Sequence, residues 1–274
     1  PPLVPFSLYP FNTQTSMLMK ARILSFVLLF ALISQFQTYS QAQEKKTESH
    51  FQSILTLTSK GISTIPSFTL GKPALMFDLS MGKGKLSFDP LFRFALEGKP
   101  WTFVFWFRYN NLIDKEKFNF TIGAHPALAF KSSSIVQNGI NKESIIARRY
   151  LASELAPNWL ISKRVSVGIY HLYTHGLEKD VVRNTNFLAL RSNFSNLRIS
   201  DQFFLKFFPQ LYFLKADNTH GYYLNATLTL AKKNFPFSIS SQVNKAIKSN
   251  VAGSPNHVLN LNLVYNFSKK YSEL

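Results

Sequence analysis

Apolar and polar residues alternate with a period of two along most of the chain. The clearest segment runs from Trp101 to Tyr109 (WTFVFWFRY), where every second residue is aromatic and Arg108 lies on the opposite face. A period of two places successive side chains on opposite faces of a β-strand, whereas a helix repeats every 3.6 residues. The pattern therefore predicts strands that have one apolar face and one mixed face.

Similar segments recur at regular intervals and have the length of membrane-crossing strands. A tilted strand needs roughly 9–11 residues to cross a bilayer, and bacterial barrels have an even number of strands. We therefore predict an all-β fold: a transmembrane antiparallel β-barrel of about twelve strands over residues 52–274. The predicted strands cover one segment within 52–70 and the segments 74–81, 85–96, 101–109, 118–131, 149–158, 164–175, 186–196, 203–213, 222–230, 236–246 and 259–267.

The alternative for the same pattern is a soluble β-sandwich, whose apolar faces point inward. Strands in soluble domains average about 5–6 residues, which is shorter than the segments here. Aromatic residues make up 15% of the chain and charged residues only 16%, where a soluble domain has about a quarter. Strand length and composition both favour the membrane.

The connections between strands differ in length in a regular way. Counted back from a C-terminus on the periplasmic side, the long connections 132–148, 176–185 and 248–256 fall on the outer side. The short connections fall on the inner side, as outer-membrane barrels require. These short connections are 82–84, 197–199 and 233–235, and two segments break the rule, a short outer turn at 97–100 and a long inner one at 110–117.

The front of the chain reads as a targeting signal. Lys20 and Arg22 precede the apolar run Ile23–Ile33, and Ser40-Gln41-Ala42 has the small-x-small pattern of a cleavage site. Such a run is too short to span a bilayer as a helix, which takes about 20 residues. We therefore predict export to the outer membrane of a Gram-negative cell. The predicted divisions are an upstream extension at 1–16, a signal peptide at 17–42 and a flexible lead-in at 43–51.

Composition limits the partners and cofactors. The chain has no Cys, which excludes disulfides, thiolate metal sites and a lipid anchor on Cys. His50, His125, His220 and His257 are scattered, so no metal site and no cofactor is predicted. The formal net charge of +17 suits outer-membrane lipid, lipopolysaccharide or an anionic solute. Nucleic acid is not an expected partner of an exported protein.

If the apolar face meets lipid, the mixed face lines the lumen. One interpretation is an internal network of ion pairs that fills the lumen, and another is a narrow polar pore whose cations favour anions. The sequence leaves both open. The predicted function is a passive narrow channel or a structural membrane component. The predicted lumen-lining residues are Asp78, Asp89, Arg93, Arg108, His125, Glu154, Arg191 and Lys206, with Asn225, Gln242, Asn260 and Asn262 beside them.

A lipid-modifying hydrolase at the outer barrel rim, of the phospholipase or lipid A deacylase type, is the alternative function. Such an enzyme needs a Ser nucleophile within hydrogen-bond reach of a His base. His171 and His175 lie near the outer end of one predicted strand, and Ser192 lies on the next. These three residues are the catalytic candidates, and a His in an aromatic girdle at the interface explains the same pattern.

The chain resembles the small outer-membrane β-barrel proteins of Bacteroidetes. The resemblance rests on the signal-like front, the stretch Ile62–Tyr109 and the Asn- and aromatic-rich closing strand to Phe267. It implies an outer-membrane location and no defined substrate. The barrel-assembly machinery is a predicted partner. Many such barrels end on an aromatic residue used in assembly, whereas residues 268–274 follow Phe267 here.

Overall fold

The computed structural model describes residues 49–137 and 140–271, and these residues form twelve β-strands. Among them, no helix is both long and apolar enough to cross a membrane. The strands are β1 (Ser49–Thr58), β2 (Ala74–Lys83), β3 (Leu86–Ala95), β4 (Pro100–Lys115), β5 (Phe118–Gln137), β6 (Ile140–Ser162), β7 (Val165–Gly176), β8 (Asn184–Arg198), β9 (Phe203–Ala216), β10 (Thr219–Lys232), β11 (Phe237–Ser249) and β12 (His257–Tyr271). A short 3-10 helix, Pro66–Phe68, lies between β1 and β2.

The twelve strands close into one antiparallel barrel. Each strand pairs with its neighbours in sequence, and β12 pairs with β1 to complete the ring. That closing ladder runs in register from Ser49 opposite Tyr271 to Thr58 opposite Asn262. A closed ladder leaves no unpaired strand edge, which is the condition for placing a sheet in lipid. The predicted fold class and strand number are confirmed.

The two ends of the barrel differ. We call one the loop end, because it carries the connections 59–73, 96–99, 177–183, 217–218 and 250–256 and the tip of the β5–β6 hairpin. The other is the turn end, with the short connections 84–85, 116–117, 163–164, 199–202 and 233–236 and with Ser49 and Tyr271. Long connections at one end and short ones at the other are typical of outer-membrane barrels.

Several predicted boundaries differ from the structure, and three of them change the picture of the connections. The predicted long loop 132–148 is largely strand, because the β5–β6 ladder continues from Ser132 opposite Ile145 to Gln137 opposite Ile140. The predicted long inner connection 110–117 is strand up to Lys115, which removes one exception to the length rule. The predicted lead-in 43–51 ends earlier, because β1 begins at Ser49 and its first residues pair with both neighbouring strands. The predictions for residues 1–42 lie outside the described residues.

The outer face of the barrel is apolar and exposed. Leu190 on β8, for example, keeps 54% of its surface exposed, while its sequence neighbour Ala189 is buried inside. Apolar patches of this extent on a protein surface mark contact with another apolar phase. In a closed barrel with a polar interior, that phase is the hydrocarbon of a bilayer. Further exposed members of this belt are Leu57, Leu86, Phe107, Leu151, Leu155, Ile169, Leu188, Leu211, Leu224, Leu228, Leu230, Ile239, Leu259, Leu261 and Leu263.

Candidate functional site in the barrel lumen

Arg108 on β4 is the centre of a charged cluster on one wall of the lumen. Its Nη1 donates to Asp89 Oδ2 on β3 and its Nε donates to Glu154 Oε1 on β6, both at 2.6 Å. The Glu154 side chain is only 3% exposed and that of Asp89 10%. Buried carboxylates require a cation and hydrogen bonds to offset the loss of water. One guanidinium therefore holds two carboxylates and ties three strands together.

Neighbouring side chains satisfy the remaining oxygens of these carboxylates. Tyr170 on β7 donates its hydroxyl to Glu154 Oε2 at 2.7 Å, and Ser80 on β2 donates to Asp89 Oδ1 at 2.6 Å. The ring of His50 extends this chain of hydrogen bonds to β1, with Nε2 3.2 Å from Ser80 Oγ. Gly123 leaves the space for the cluster, since a Cβ there would lie 2.9 Å from Glu154 Oε1. The network therefore covers the wall from β1 to β7.

By strand alternation, the eight predicted lumen residues lie on the same faces as the buried side chains of their strands, and Lys206 among them is exposed. Arg108, Asp89 and Glu154 form the cluster just described. Arg191 lies over the Tyr170 ring, 4.6 Å from its centroid, and thus borders the cluster. The remaining predicted residues, Asp78, Arg93, His125 and Lys206, are not joined to the cluster by a hydrogen bond or ion pair within the described residues.

The opposite wall, β9 to β12, is lined by amides and hydroxyls. Gln210 Nε2 donates to Asn225 Oδ1 at 3.2 Å, and Asn262 Nδ2 donates to Ser240 Oγ at 3.0 Å. Toward the turn end, inward side chains such as Gln242 and Thr229 remain partly exposed. Lys206 lies opposite Thr229 in the β9–β10 ladder and faces the same way. This half of the lumen therefore presents a polar, wetted surface.

The first loop, residues 59–73, folds into the lumen at the loop end. Ile65 is 5% exposed and packs in a cluster with Phe187 on β8, Tyr212 on β9 and Tyr223 on β10. The loop joins β1 to β2, so reaching these strands requires crossing the barrel. Further along the loop, the Phe68 ring meets Tyr150 on β6 edge to face, with centroids 4.8 Å apart. The loop and these inward aromatic residues therefore occupy the loop-end half of the lumen.

Trp101 fastens the first loop to the wall. Alternation predicts that Trp101 shares the lipid-facing side of Phe103, but its side chain is buried, with 3% exposure, and Nε1 donates to Phe68 O at 2.7 Å. The β3–β4 register shifts here, from Arg93 opposite Thr102 to Phe94 opposite Pro100. A shift of this kind is a β-bulge, which turns one side chain out of the alternation. The predicted face of Trp101 is therefore wrong.

The candidate hydrolase residues do not come together. Ser192 lies opposite Val167 in the β7–β8 ladder, while His171 lies opposite Leu188. Four residues separate the two positions, or about 13 Å along a strand. His175 is farther still, and its Nδ1 lies 3.0 Å from Asn184 Oδ1. The register therefore provides no Ser–His pair among these three residues.

The alternating sequence pattern does not identify several residues of the lumen site. Tyr170, Ser80 and His50 carry hydrogen bonds of the charged wall, but an alternating pattern does not rank one polar lumen residue above another. The apolar residues Ile65 and Phe68 are the one available signal for the folded-in loop, because a wholly exposed connection rarely carries them. No group of His, Asp and Glu with metal-ligand spacing occurs among the residues the structure describes.

Ion pairs also join the segments at the loop end. Arg149 donates through Nε to Glu178 Oε1 at 2.7 Å and through its backbone N–H to Glu178 Oε2 at 2.8 Å. These hydrogen bonds, the side-chain one first, hold the pKa of the Glu178 carboxyl below its usual value. Lys99 donates to both carboxylate oxygens of Glu143, which raises the pKa of the lysine. These contacts connect the turns to the projecting β5–β6 hairpin.

Comparison with known proteins finds similar solved structures at low sequence identity. No protein-family model matches the chain, and no curated protein matches it. The KdgM porin in complex with disordered oligogalacturonate is 9% identical, with 80% of this chain and 99% of that chain covered and a TM-score of 0.46. An outer membrane channel from Pseudomonas putida F1 is 10% identical, with 83% and 97% covered and a TM-score of 0.46. The NanC porin is 12% identical, with 82% and 100% covered and a TM-score of 0.44. The narrower resemblance to Bacteroidetes proteins stays a prediction.

Proposed function

We propose that this protein is a passive narrow channel of the outer membrane. The observation that carries the proposal is a closed twelve-stranded barrel with an apolar outer face and a lumen lined by amides, hydroxyls and charges. An eight-stranded barrel has an interior just filled by side chains, and barrels of 16–18 strands enclose a wide aqueous channel. A barrel of this size suits a narrow path for small polar solutes.

The solute path runs beside the wall formed by β9 to β12, which is lined by amides and hydroxyls. The charged wall is fixed by the bonds of Arg108 to Asp89 and Glu154, and this cluster of one cation and two carboxylates carries a net charge of −1. Arg191 and Lys206 have no carboxylate partner among the described residues and leave an excess of positive charge on the inward face. Cations that line a narrow pore favour anions. The conductance is therefore expected to be weakly anion-selective.

The first loop acts as the constriction of this channel. It crosses the lumen at the loop end, where Ile65 and Phe68 pack against the aromatic residues of the opposite wall. A solute can then pass only if the loop shifts or moves out of its packed position in the lumen. The open probability at rest is expected to be low, and removal of the loop is expected to raise it.

Planar-bilayer recording tests the channel directly. The purified barrel is inserted into a bilayer, and the current and the reversal potential are measured in a KCl gradient. A variant in which residues 62–70 are replaced by a short Gly-Ser linker serves as the open form. Discrete, weakly anion-selective steps, larger or more frequent in the linker variant, support the proposal. No conductance from either form would reject the channel and leave a structural membrane role.

The loop end is the proposed contact with lipopolysaccharide. Lys215 on β9 and Lys245 and Lys248 on β11 are exposed near the ends of their strands at the loop end. The register pairs Lys248 with Tyr222 and Lys245 with Leu224, both of which face outward. None of the three lysines forms an ion pair with the residues that the structure describes. Free ammonium groups beside an apolar belt suit the phosphates of an anionic leaflet.

The proposed location rests on the same features. An apolar outer face, long connections at one end and short turns at the other favour the outer membrane, with the turn end facing the periplasm. Export by a signal peptide and insertion by the barrel-assembly machinery are part of the same proposal. Cell fractionation, with heat-modifiable gel migration as the assay for a folded barrel, tests it. Recovery of the protein in the periplasmic fraction would reject it.

A further inference from the structure

Unpartnered polar atoms surround a cavity beneath the first loop. The cavity has a volume of about 210 Å³ and lies between the loop and the wall formed by β3 to β7. Four buried side-chain atoms in the described part of the chain have no hydrogen-bond partner, and three of them, Arg93 Nε, Thr102 Oγ1 and His125 Nδ1, belong to residues that line this cavity. Buried polar groups in native proteins are normally paired, so such a concentration calls for a partner.

Arg93 and Thr102 form one polar end of the cavity. They lie directly opposite each other in the β3–β4 ladder, so the guanidinium and the hydroxyl are adjacent on the wall. Thr102 is 7% exposed. Arg93 lies 5.7 Å from the Trp101 ring centroid and forms no ion pair within 4.0 Å among the described residues, although the Asp78 carboxylate, which holds the fourth unpartnered atom, interacts with it electrostatically. A guanidinium beside a hydroxyl is the arrangement that binds a carboxylate.

The cavity is elongated, and the barrel wall between its two ends is apolar. Thr102 lies opposite Ala129 on β5, and His125 lies four residues before Ala129, which is about 13 Å along the strand. Between these ends the wall contributes Leu91, Val104 and Ala127, and the hydroxyl-bearing residues Ser63, Thr64 and Thr174 also line the cavity. The His125 ring, 8% exposed, closes the far end beside Trp106, with ring centroids 4.1 Å apart.

We propose that this cavity binds a small aliphatic monocarboxylate. The carboxylate accepts hydrogen bonds from Arg93 and Thr102, and the chain lies against the apolar middle of the cavity. The cavity has room for several groups of the size of a water molecule. A carboxylate with five further carbons fills that space. Binding goes beyond the proposed channel, because it requires only the folded barrel and does not depend on conductance.

Calorimetric titration of hexanoate into the full-length folded barrel in detergent micelles tests the site. We expect saturable one-to-one binding, with hexanol, which lacks the charge, and acetate, which lacks the chain, each binding at least about tenfold more weakly. Arg93→Gln is expected to weaken hexanoate binding at least about tenfold, and Thr102→Val a few-fold. Lys206→Gln is the matched control, because it removes an inward cation that does not line the cavity.

The outcomes separate the proposal from a cavity that holds only water. Absence of saturable hexanoate binding to the natural chain would overturn it, as would equal binding by the natural chain, Arg93→Gln and Thr102→Val. Heat-modifiable migration establishes that each variant is folded. If Arg93→Gln does not fold, hexanoate binding by Thr102→Val tests the proposal. This substitution keeps the shape of the side chain and replaces the hydroxyl with a methyl group.

Discussion

The indole N–H of Trp101 donates a 2.7 Å hydrogen bond to the backbone carbonyl oxygen of Phe68, and this bond joins the barrel wall to the loop inside it. Gly61, at the root of the loop, lies against the same indole, since a Cβ there would be 2.9 Å from the ring. The loop is therefore held by a wall residue at a β-bulge and by packing across the lumen. Residues on both sides of the barrel thus hold the loop in place.

Removal of that hydrogen bond is expected to loosen the loop. Trp101→Phe keeps an aromatic ring but leaves the Phe68 carbonyl unpaired, which costs about 1–3 kcal/mol when the group is buried. We expect more frequent opening in single-channel recordings, with unchanged step size. Trp159→Phe is the control, because Trp159 is an exposed residue on the lipid side. Equal opening frequencies in the two variants would contradict the assigned role of Trp101.

The Arg108 cluster is expected to stabilise the barrel. Arg108→Gln leaves Asp89 and Glu154 without their shared cation, and breaking a buried pair from one side costs roughly 3 kcal/mol or more. The measurement is the free energy of unfolding in guanidinium chloride in detergent or lipid. Arg191→Gln is the control, since Arg191 contacts the Tyr170 ring but forms no ion pair among the described residues. A loss no greater than that of the control would show that the cluster does not contribute.

The lysines of the loop end are expected to recognise anionic lipid. A variant with Lys215, Lys245 and Lys248 changed to Gln loses three of the charges proposed to contact phosphate, each worth about 1 kcal/mol near an anionic surface. We expect less lipopolysaccharide to copurify with this variant, and a smaller rise in its thermal stability when lipopolysaccharide is added. In the control variant, Lys163, Lys232 and Lys233 are changed to Gln. These lysines lie at the turn end, so the control loses the same amount of charge there. Equal losses in the two variants would show a general charge effect and no localised contact.

The Arg149–Glu178 contact has a predicted pH dependence. The Glu178 carboxyl has a lowered pKa because Arg149 donates hydrogen bonds to it. A carboxyl whose pKa is lowered by folding stabilises the protein at pH values above the ordinary glutamate pKa of about 4.3. This stabilisation is lost as the pH falls through the lower pKa of the folded protein. We expect Arg149→Gln to lower the midpoint of heat-induced gel conversion at pH 6 to 7, and to have little effect once pH is well below 4. A difference that persists unchanged in strong acid would contradict this assignment.

Sequence alternation determined the strand type, the approximate strand number and the side on which most residues lie. It did so because a β-strand has a period of two and because lipid and lumen demand opposite polarities on its two faces. Leu190 and Arg191, adjacent in the chain, illustrate this: one faces the membrane and the other the lumen. These are local consequences of chain geometry, and no knowledge of partner strands is needed to see them.

Only the tertiary structure decided which polar residues meet. Arg108 lies 46 residues from Glu154 in sequence, and their contact depends on the ladders that place β4, β5 and β6 side by side. The inward path of the first loop, the bulge that turns Trp101 and the separation of Ser192 from His171 depend likewise on register. Register is a property of strand pairs and not of one strand, so alternation within a segment cannot specify it. The barrel was thus readable from its sequence, whereas its closed loop end and its lumen sites arose from the pairing of distant strands.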